Sequence, residues 1–465
     1  MDSSIDSWST SKPLPRLCVS SNGRYLVTED GKPFFWLGDT AWRMIQKATL
    51  TDQQQPSVEH YFAERRSQGF NVLQTVAAHD GKVINSADQS AFEDGDFTRP
   101  LVVKGQDNDY WDQCDAILDL AEEYGFYVAL LPLWLNSIEK RDPIVQEPSI
   151  AYQYGHFLGD RFRNRANVIW VLGGDPSYRK GRDVDQPERL ALVRAMAKGI
   201  DDGAAARDHF DGKADWSTTL MTYHPKGGGH SSSEYLHAEP WLDFNMIQTT
   251  TRFRFANYET VSSDYAKNPP KPTLDAEVAY EDSLSLNKKE SRDRRTGAWE
   301  ARRAAYWSVF AGGFGHTYGH RSFILWTLPG EHNKHGADFP WFVSLEAPGA
   351  KQMGYLRQLM ESLPFLSRIP DQSLIDGDPG GGIDHARATR DAEGRYALVY
   401  LPTGRKIAIH MEKIGGSKAN AWWFNPRDAS RKPIGVFDTR GLRSFNPPTH
   451  GEGQDWVLMV VSENR

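Results

Sequence analysis

Two acids stand out by where they fall. Asp175 closes the string VIWVLGGD and Glu277 closes PTLDAE, each just after a short apolar run. A pair of carboxylates facing each other across a cleft can split a glycosidic bond. One, protonated, gives its proton to the leaving oxygen; the other attacks the anomeric carbon or activates water. The two need unlike pKa values, which low-polarity walls such as Trp170 or Trp134 can produce. Polar residues also end the other apolar runs. Asp39 follows the first, His79 and Asp80 the second, and Trp134 and Asn136 the third. Tyr223 and His224 follow the fifth, Gln248 the sixth, and His316, Tyr318 and His320 the eighth. The candidate pocket lining is Asp39, His79, Trp134, Tyr223, His224, Gln248, Tyr318 and His320.

Each residue has a plainer role to set beside this one. An aspartate after Gly-Gly can cap a helix, and a glutamate on a strand can be held in an ion pair. Trp134 is either core or a platform for a sugar ring. Asp39 suits a ligand for substrate hydroxyls better than a catalyst. His316 and His320 lie four apart, but on a strand-loop run where they need not face one way. A barrel metallohydrolase shows His-x-His after its first strand, where this chain has Gly38-Asp39-Thr40. No metal and no cofactor are expected.

The elements that must hold these residues alternate. Apolar runs at 34–38, 72–77, 127–133, 168–172, 218–222, 244–248, 272–275 and 313–317 read as strands. Amphipathic stretches at 58–68, 110–124, 149–163, 188–201 and 296–311 read as helices between them. YVALLPL and VIWVL are continuously apolar, as parallel strands buried on both faces must be. Strand and helix alternating about eight times predict an α/β fold, a (β/α)8 TIM barrel, with catalytic groups at the carboxyl ends of its strands. The fourth and seventh strands lie on opposite sides of such a mouth, so acids after both can flank one bond. The string GGGHSSSEYLHAEP reads as a loop insertion at the rim. After Leu363 the pattern changes. GDPGGGIDHA leads into short alternating strands, RYALVYLP, KIAIHM, ANAWWFNP and DWVLMVVS, predicting a small antiparallel β-sandwich. The expected division is a disordered start over 1–13, the barrel over 14–365 and the sandwich over 366–465. The Trp422-Trp423 pair is expected to pack on the barrel as part of a structural accessory.

The bulk numbers agree. A chain of 465 residues with 39% hydrophobic and 25% charged residues can bury a large core without staples. A net charge of -7 argues against a nucleic-acid partner, which selects a basic face. Fifteen tryptophans suit both a core and a sugar cleft. Cys18 and Cys114 lack metal-site spacing and read as a free buried pair. No apolar run spans a membrane, and the first residues carry no secretory signal, so the sequence as it stands reads as cytoplasmic. A mature secreted chain would read the same. Nothing here sets an oligomeric state.

WLGDTAW, FNVLQTVAA, NVIWVLGGD, PTLDAE and AAYWSVFAGGFGHTYGH, in that order, resemble the apiosidase-like proteins of glycoside hydrolase family 140 over residues 14–365. The tail resembles the β-sandwich that carries a collagen-binding label in that family. The resemblance implies an exo-acting barrel hydrolase that removes terminal apiofuranose, as from pectic side chains. The family's catalytic acids fall on Asp175 and Glu277. Proline is expected after the second acid, where this chain has Val278. The expectation is therefore hydrolysis of a terminal furanoside on a carbohydrate substrate, with Asp175 as general acid/base and Glu277 as nucleophile. Another exo-furanosidase, acting for example on arabinofuranosides, and a catalytically silent carbohydrate-binding barrel are the alternatives.

Overall fold

The computed structural model describes residues 13–105, 107–138, 141–176, 187–205, 216–249, 255–284, 294–331 and 337–463. The expected disordered start lies outside them, save its last residue. Eight strands form the centre: β1 (Trp36–Thr40), β2 (Val72–Ala78), β3 (Tyr127–Leu133), β4 (Val168–Gly173), β5 (Met221–His224), β6 (Asn245–Gln248), β7 (Thr273–Glu277) and β8 (Gly315–Tyr318). Their order is β5-β4-β3-β2-β1-β8-β7-β6, with every neighbouring pair parallel. At the seam, β5 and β6 lie side by side. The Thr222 hydroxyl donates to the Phe244 carbonyl at 2.6 Å, and Met221 N donates to the Asp243 carboxylate at 2.7 Å. The sheet is a nearly closed barrel, as the eight alternations predicted. β3 is buried along its whole length and β4 over its inner four residues, which is why YVALLPL and VIWVL read as unbroken apolar runs.

Helices wrap the outside. Among them are α1 (Met44–Lys47), α2 (Val58–Ser67), α3 (Asn257–Tyr265) and α4 (Ala298–Phe310). The helix Tyr110–Glu123 shows how sequence sets them. Asp109 caps its start by accepting from the backbone N–H of Trp111 and Asp112. Tyr110, Cys114, Ile117, Leu118 and Ala121 then repeat at helical spacing and form its buried face. Cys114 is thus core, but Cys18 is exposed, so the expected buried pair is corrected. The rim segment expected as loop contains a short strand, His230–Ser231, antiparallel to β6, and a helical turn, Ser233–Leu236.

The tail is a six-stranded antiparallel sheet of order β9 (Arg368–Pro370), β10 (Arg387–Asp391), β11 (Tyr396–Leu401), β14 (Trp456–Ser462), β12 (Lys418–Phe424) and β13 (Arg431–Asp438). Its residues alternate between two cores. Tyr396, Leu398, Tyr400, Val457, Met459 and Val461 join the barrel's core. Ala397, Val399, Leu401, Leu458 and Val460 form a second core, with Ile407, Ile409 and Phe445 of a two-stranded ribbon, Ile407–His410 and Leu442–Phe445. Trp422 packs against the barrel's core and Trp423 sits in the tail's own, so the expected pair on the barrel is split. Across the interface Asp455 accepts two hydrogen bonds from Arg302 of α4, at 2.9 and 2.7 Å, and Tyr306 stacks on Tyr400 at 4.7 Å.

Candidate active site

β4 delivers Asp175 through an unusual turn. Gly173, Gly174 and Asp175 all have positive φ, at 92°, 104° and 46°. The chain needs glycine there. A Cβ on Gly173 would lie 2.5 Å from the His224 carbonyl, and one on Gly174 would lie 3.0 Å from Trp134 Cα. The backbone therefore threads between the ends of β3 and β5 before Asp175 turns to the mouth. Its carboxylate accepts from Gly227 N at 3.2 Å and from Asn136 Nδ2 at 3.5 Å. Burial raises the Asp175 pKa most; the nearby charge of Glu277 adds to this, and His224 opposes it.

β7 delivers Glu277 through a bulge. Asp275 pairs with Ile247 and Glu277 with the next residue, Gln248, so one extra residue sits on β7. Without it, residues 275 and 277 would share a face. With it, Asp275 turns into the helix layer, accepting from Asn257 of α3 at 2.9 Å and from Thr249 at 3.1 Å. Gln74 of β2 donates to the freed Ala276 carbonyl at 3.0 Å, and Glu277 turns to the mouth. One Glu277 oxygen lies 3.0 Å from His224 Nε2. The buried Tyr280 phenol is hydrogen-bonded to Glu277; burial, then the Glu277 charge, hold its pKa well above the usual phenol value. Trp42 Nε1 donates to the same phenol at 3.3 Å.

An aromatic wall backs the pair. The Trp42 and Trp134 rings lie 4.9 Å apart, and the His224 ring stands edge-on to Trp42 at 5.3 Å. His79 stacks on Trp134 at 6.0 Å. Burial first, then the Arg43 charge, hold the His79 pKa well below the usual imidazole range, so the ring is neutral. His79 Nδ1 and Gln248 Oε1 are buried, with no hydrogen-bond partner among the described residues. His79, Trp134, His224 and Gln248 thus come together around Asp175 and Glu277.

The other candidates sit elsewhere. Tyr223 alternates to the other face of β5, and its ring backs Gly173. Asp39 is fully buried, bound by Arg65 of α2 at 2.5 Å and by the Tyr61 hydroxyl at 2.7 Å. Tyr318 faces the same layer and donates to Glu281 at 2.7 Å. The expectation that Asp39 and Tyr318 line the pocket is corrected, because both point outward from their strands. His320 caps the turn Arg321–Ile324, its Nδ1 accepting from Ser322 N at 3.2 Å. Burial first, with nearby arginine charges, brings the His320 pKa down to about 3. Among the described residues no group of three or more His, Cys, Asp or Glu could hold a metal ion. No helix among them is long and apolar enough to cross a membrane. Sequence reasoning missed Trp42 and Tyr280. Their signals were there: a tryptophan in the loop right after the first strand, and a tyrosine three residues past the second acid.

Residues 20–367 match the family model described as "Apiosidase-like, catalytic domain". Residues 369–461 match the "Putative collagen-binding domain of a collagenase". A solved structure named "Glycoside hydrolase" is 32% identical, with 98% of this chain and 99% of that chain covered and a TM-score of 0.84. A glycoside hydrolase family 5 structure from Bacteroides vulgatus ATCC 8482 is 34% identical, with 97% and 94% covered and a TM-score of 0.85. No curated protein matches the sequence. With its barrel matched from end to end and its whole length shared with solved glycosidases, the chain belongs to the apiosidase-like family and is a glycoside hydrolase.

Proposed function

We propose that the enzyme removes a terminal furanose, such as apiofuranose, from plant glycans or glycosides, with Asp175 as general acid/base and Glu277 as nucleophile. The observation that carries this is the meeting of two carboxyl groups at the barrel mouth, one from the end of β4 and one from the end of β7. Asp175 is buried beside the charge of Glu277, which favours its protonated form. Glu277 lies against His224 and the Tyr280 phenol. In the first step Asp175 protonates the leaving oxygen while Glu277 forms a bond to the anomeric carbon. Asp175, now a carboxylate, then takes a proton from water as that water displaces Glu277. The Tyr280 phenol, hydrogen-bonded to Glu277, fixes the carboxyl group where the attack begins. Trp42 and Trp134 offer apolar faces to the sugar's C–H groups. His79 stacks on Trp134 and Gln248 pairs beside Glu277, bringing an imidazole and an amide to the same wall.

A panel of aryl glycosides, including the apioside and the arabinofuranoside, tests the sugar. Release of aryl alcohol from the apioside above all others is expected. Preference for another furanoside would move the specificity, and no hydrolysis of any would favour a silent binding barrel. Proton NMR of the first-formed sugar tests the nucleophile. Retention is expected; release of the opposite anomer makes Glu277 a general base instead.

A further inference from the structure

A cavity of about 720 Å³ opens on the same face of the barrel, on the side of β1, β2 and β8. Its walls come from α1 and the loop after it, the loop after β2, and residues 328–331 beyond β8. It neighbours the catalytic centre without being part of it. Trp42 and His79 turn inward to the carboxylates, while the next residue of each, Arg43 and Asp80, lines the cavity. Its size suits a small ligand.

The lining is built for hydrogen bonding. Gln46, Thr49, Gln54, Asn85 and Ser86 bring amide and hydroxyl side chains to its wall. Arg43 has a half-buried guanidinium on which, among the described residues, Asp80 acts through charge and no acceptor is hydrogen-bonded. Lys47 is engaged by Glu331, at 2.7 Å to each oxygen. Arg43, Lys47 and Lys82 are balanced by Asp80, Asp88 and Glu331, so the lining carries no net charge to select an ion. Donors and acceptors without net charge complement hydroxyl groups, each of which both donates and accepts.

We propose that this cavity is a second carbohydrate site, which takes a neutral sugar unit beside the catalytic centre. The unit is either a further residue of the glycan being cut or a free sugar; both present the same hydroxyl chemistry. The inference rests on carbohydrate being the substrate class, and it does not depend on which carboxylates do the chemistry.

Saturation-transfer NMR on the full-length Glu277→Gln protein tests it without hydrolysis of the probes. The probes are arabinose, galactose, rhamnose and xylose, the disaccharides arabinobiose, galactobiose and xylobiose, and digalacturonate. At least one neutral probe is expected to bind at millimolar concentration. Arg43→Ala, and separately Thr49→Trp, which fills the cavity, should each weaken that binding at least tenfold. Arg43 is half-buried, so its variant keeps the test intact should Thr49→Trp fail to fold; thermal unfolding checks both. Tighter binding of a disaccharide than of its monosaccharide marks a glycan residue as the ligand, and the reverse marks a free sugar. The proposal is overturned if no neutral probe binds, if binding survives Arg43→Ala, or if digalacturonate binds best. Hydrolysis retained by Glu277→Gln would sink the proposed catalytic pair alone and leave the cavity result standing.

Discussion

Replacing Gly173 by alanine should damage both folding and turnover, and the structure gives the size of each. The φ of Gly173 is 92°, and an L-residue with positive φ costs about 1–2 kcal/mol. The new Cβ would stand 2.5 Å from the His224 carbonyl and 2.9 Å from the Tyr223 ring. The first gap is about 1 Å short of ordinary contact, and the nearer atom is backbone, which cannot swing aside. Together with overpacking of about 1–3 kcal/mol, a loss of roughly 2–5 kcal/mol is expected. The chain must also move at its approach to Asp175, two residues on. A misplacement near 1 Å can cost about a hundredfold in rate. The Gly173→Ala variant should therefore unfold several degrees lower, with kcat down about a hundredfold. Differential scanning calorimetry and steady-state rates on the best aryl glycoside measure both. Wild-type Tm and kcat would show that the turn does not hold Asp175 as described.

Three further outcomes follow from other contacts. Asp455→Asn leaves Arg302, 4% exposed, without its charge partner across the two domains, and should cost about 3–5 kcal/mol; an unchanged unfolding temperature would separate the tail from the barrel's stability. Burial pushes the Asp275 pKa up to about 8. The unfolded chain therefore loses this proton near pH 4 while the folded chain keeps it, so stability falls as pH rises from about 4 to 8. Asp275→Asn should flatten that slope in urea titrations, and an identical slope would refute the burial argument. Exhaustive chelation should leave activity whole, since two carboxylates suffice for the chemistry; a loss restored by one divalent ion would overturn this.

The sequence announced the barrel because strands buried on both faces have nowhere to put a polar residue. VIWVL and YVALLPL could be little else. It was less informative where tertiary contacts decide. The fifth strand runs Met221–His224 rather than from 218. The rim segment is ordered by Ser231 and Ser233, whose hydroxyls both donate to Asp264, at 2.5 Å each, from more than thirty residues away. Site residues were legible by their place at strand ends but not by direction. On a strand buried on both sides, polarity does not tell inward from outward. Asp39 and Tyr318 therefore looked like pocket residues, although they meet Arg65 and Glu281 in the helix layer. The bulge that turns Asp275 out and Glu277 in has no local signature in LDAE, since it is set by pairing with β6.

The proposed chemistry stands most directly on the two carboxylates. Turnover of the best aryl glycoside should be measured for Asp175→Asn and Glu277→Gln beside the wild type, with thermal unfolding run on each. Both variants should lose at least about a hundredfold in kcat while remaining folded, because each removes a proton-transfer or nucleophilic step. A folded variant that turns over within a few-fold of wild type would contradict the role given to that residue.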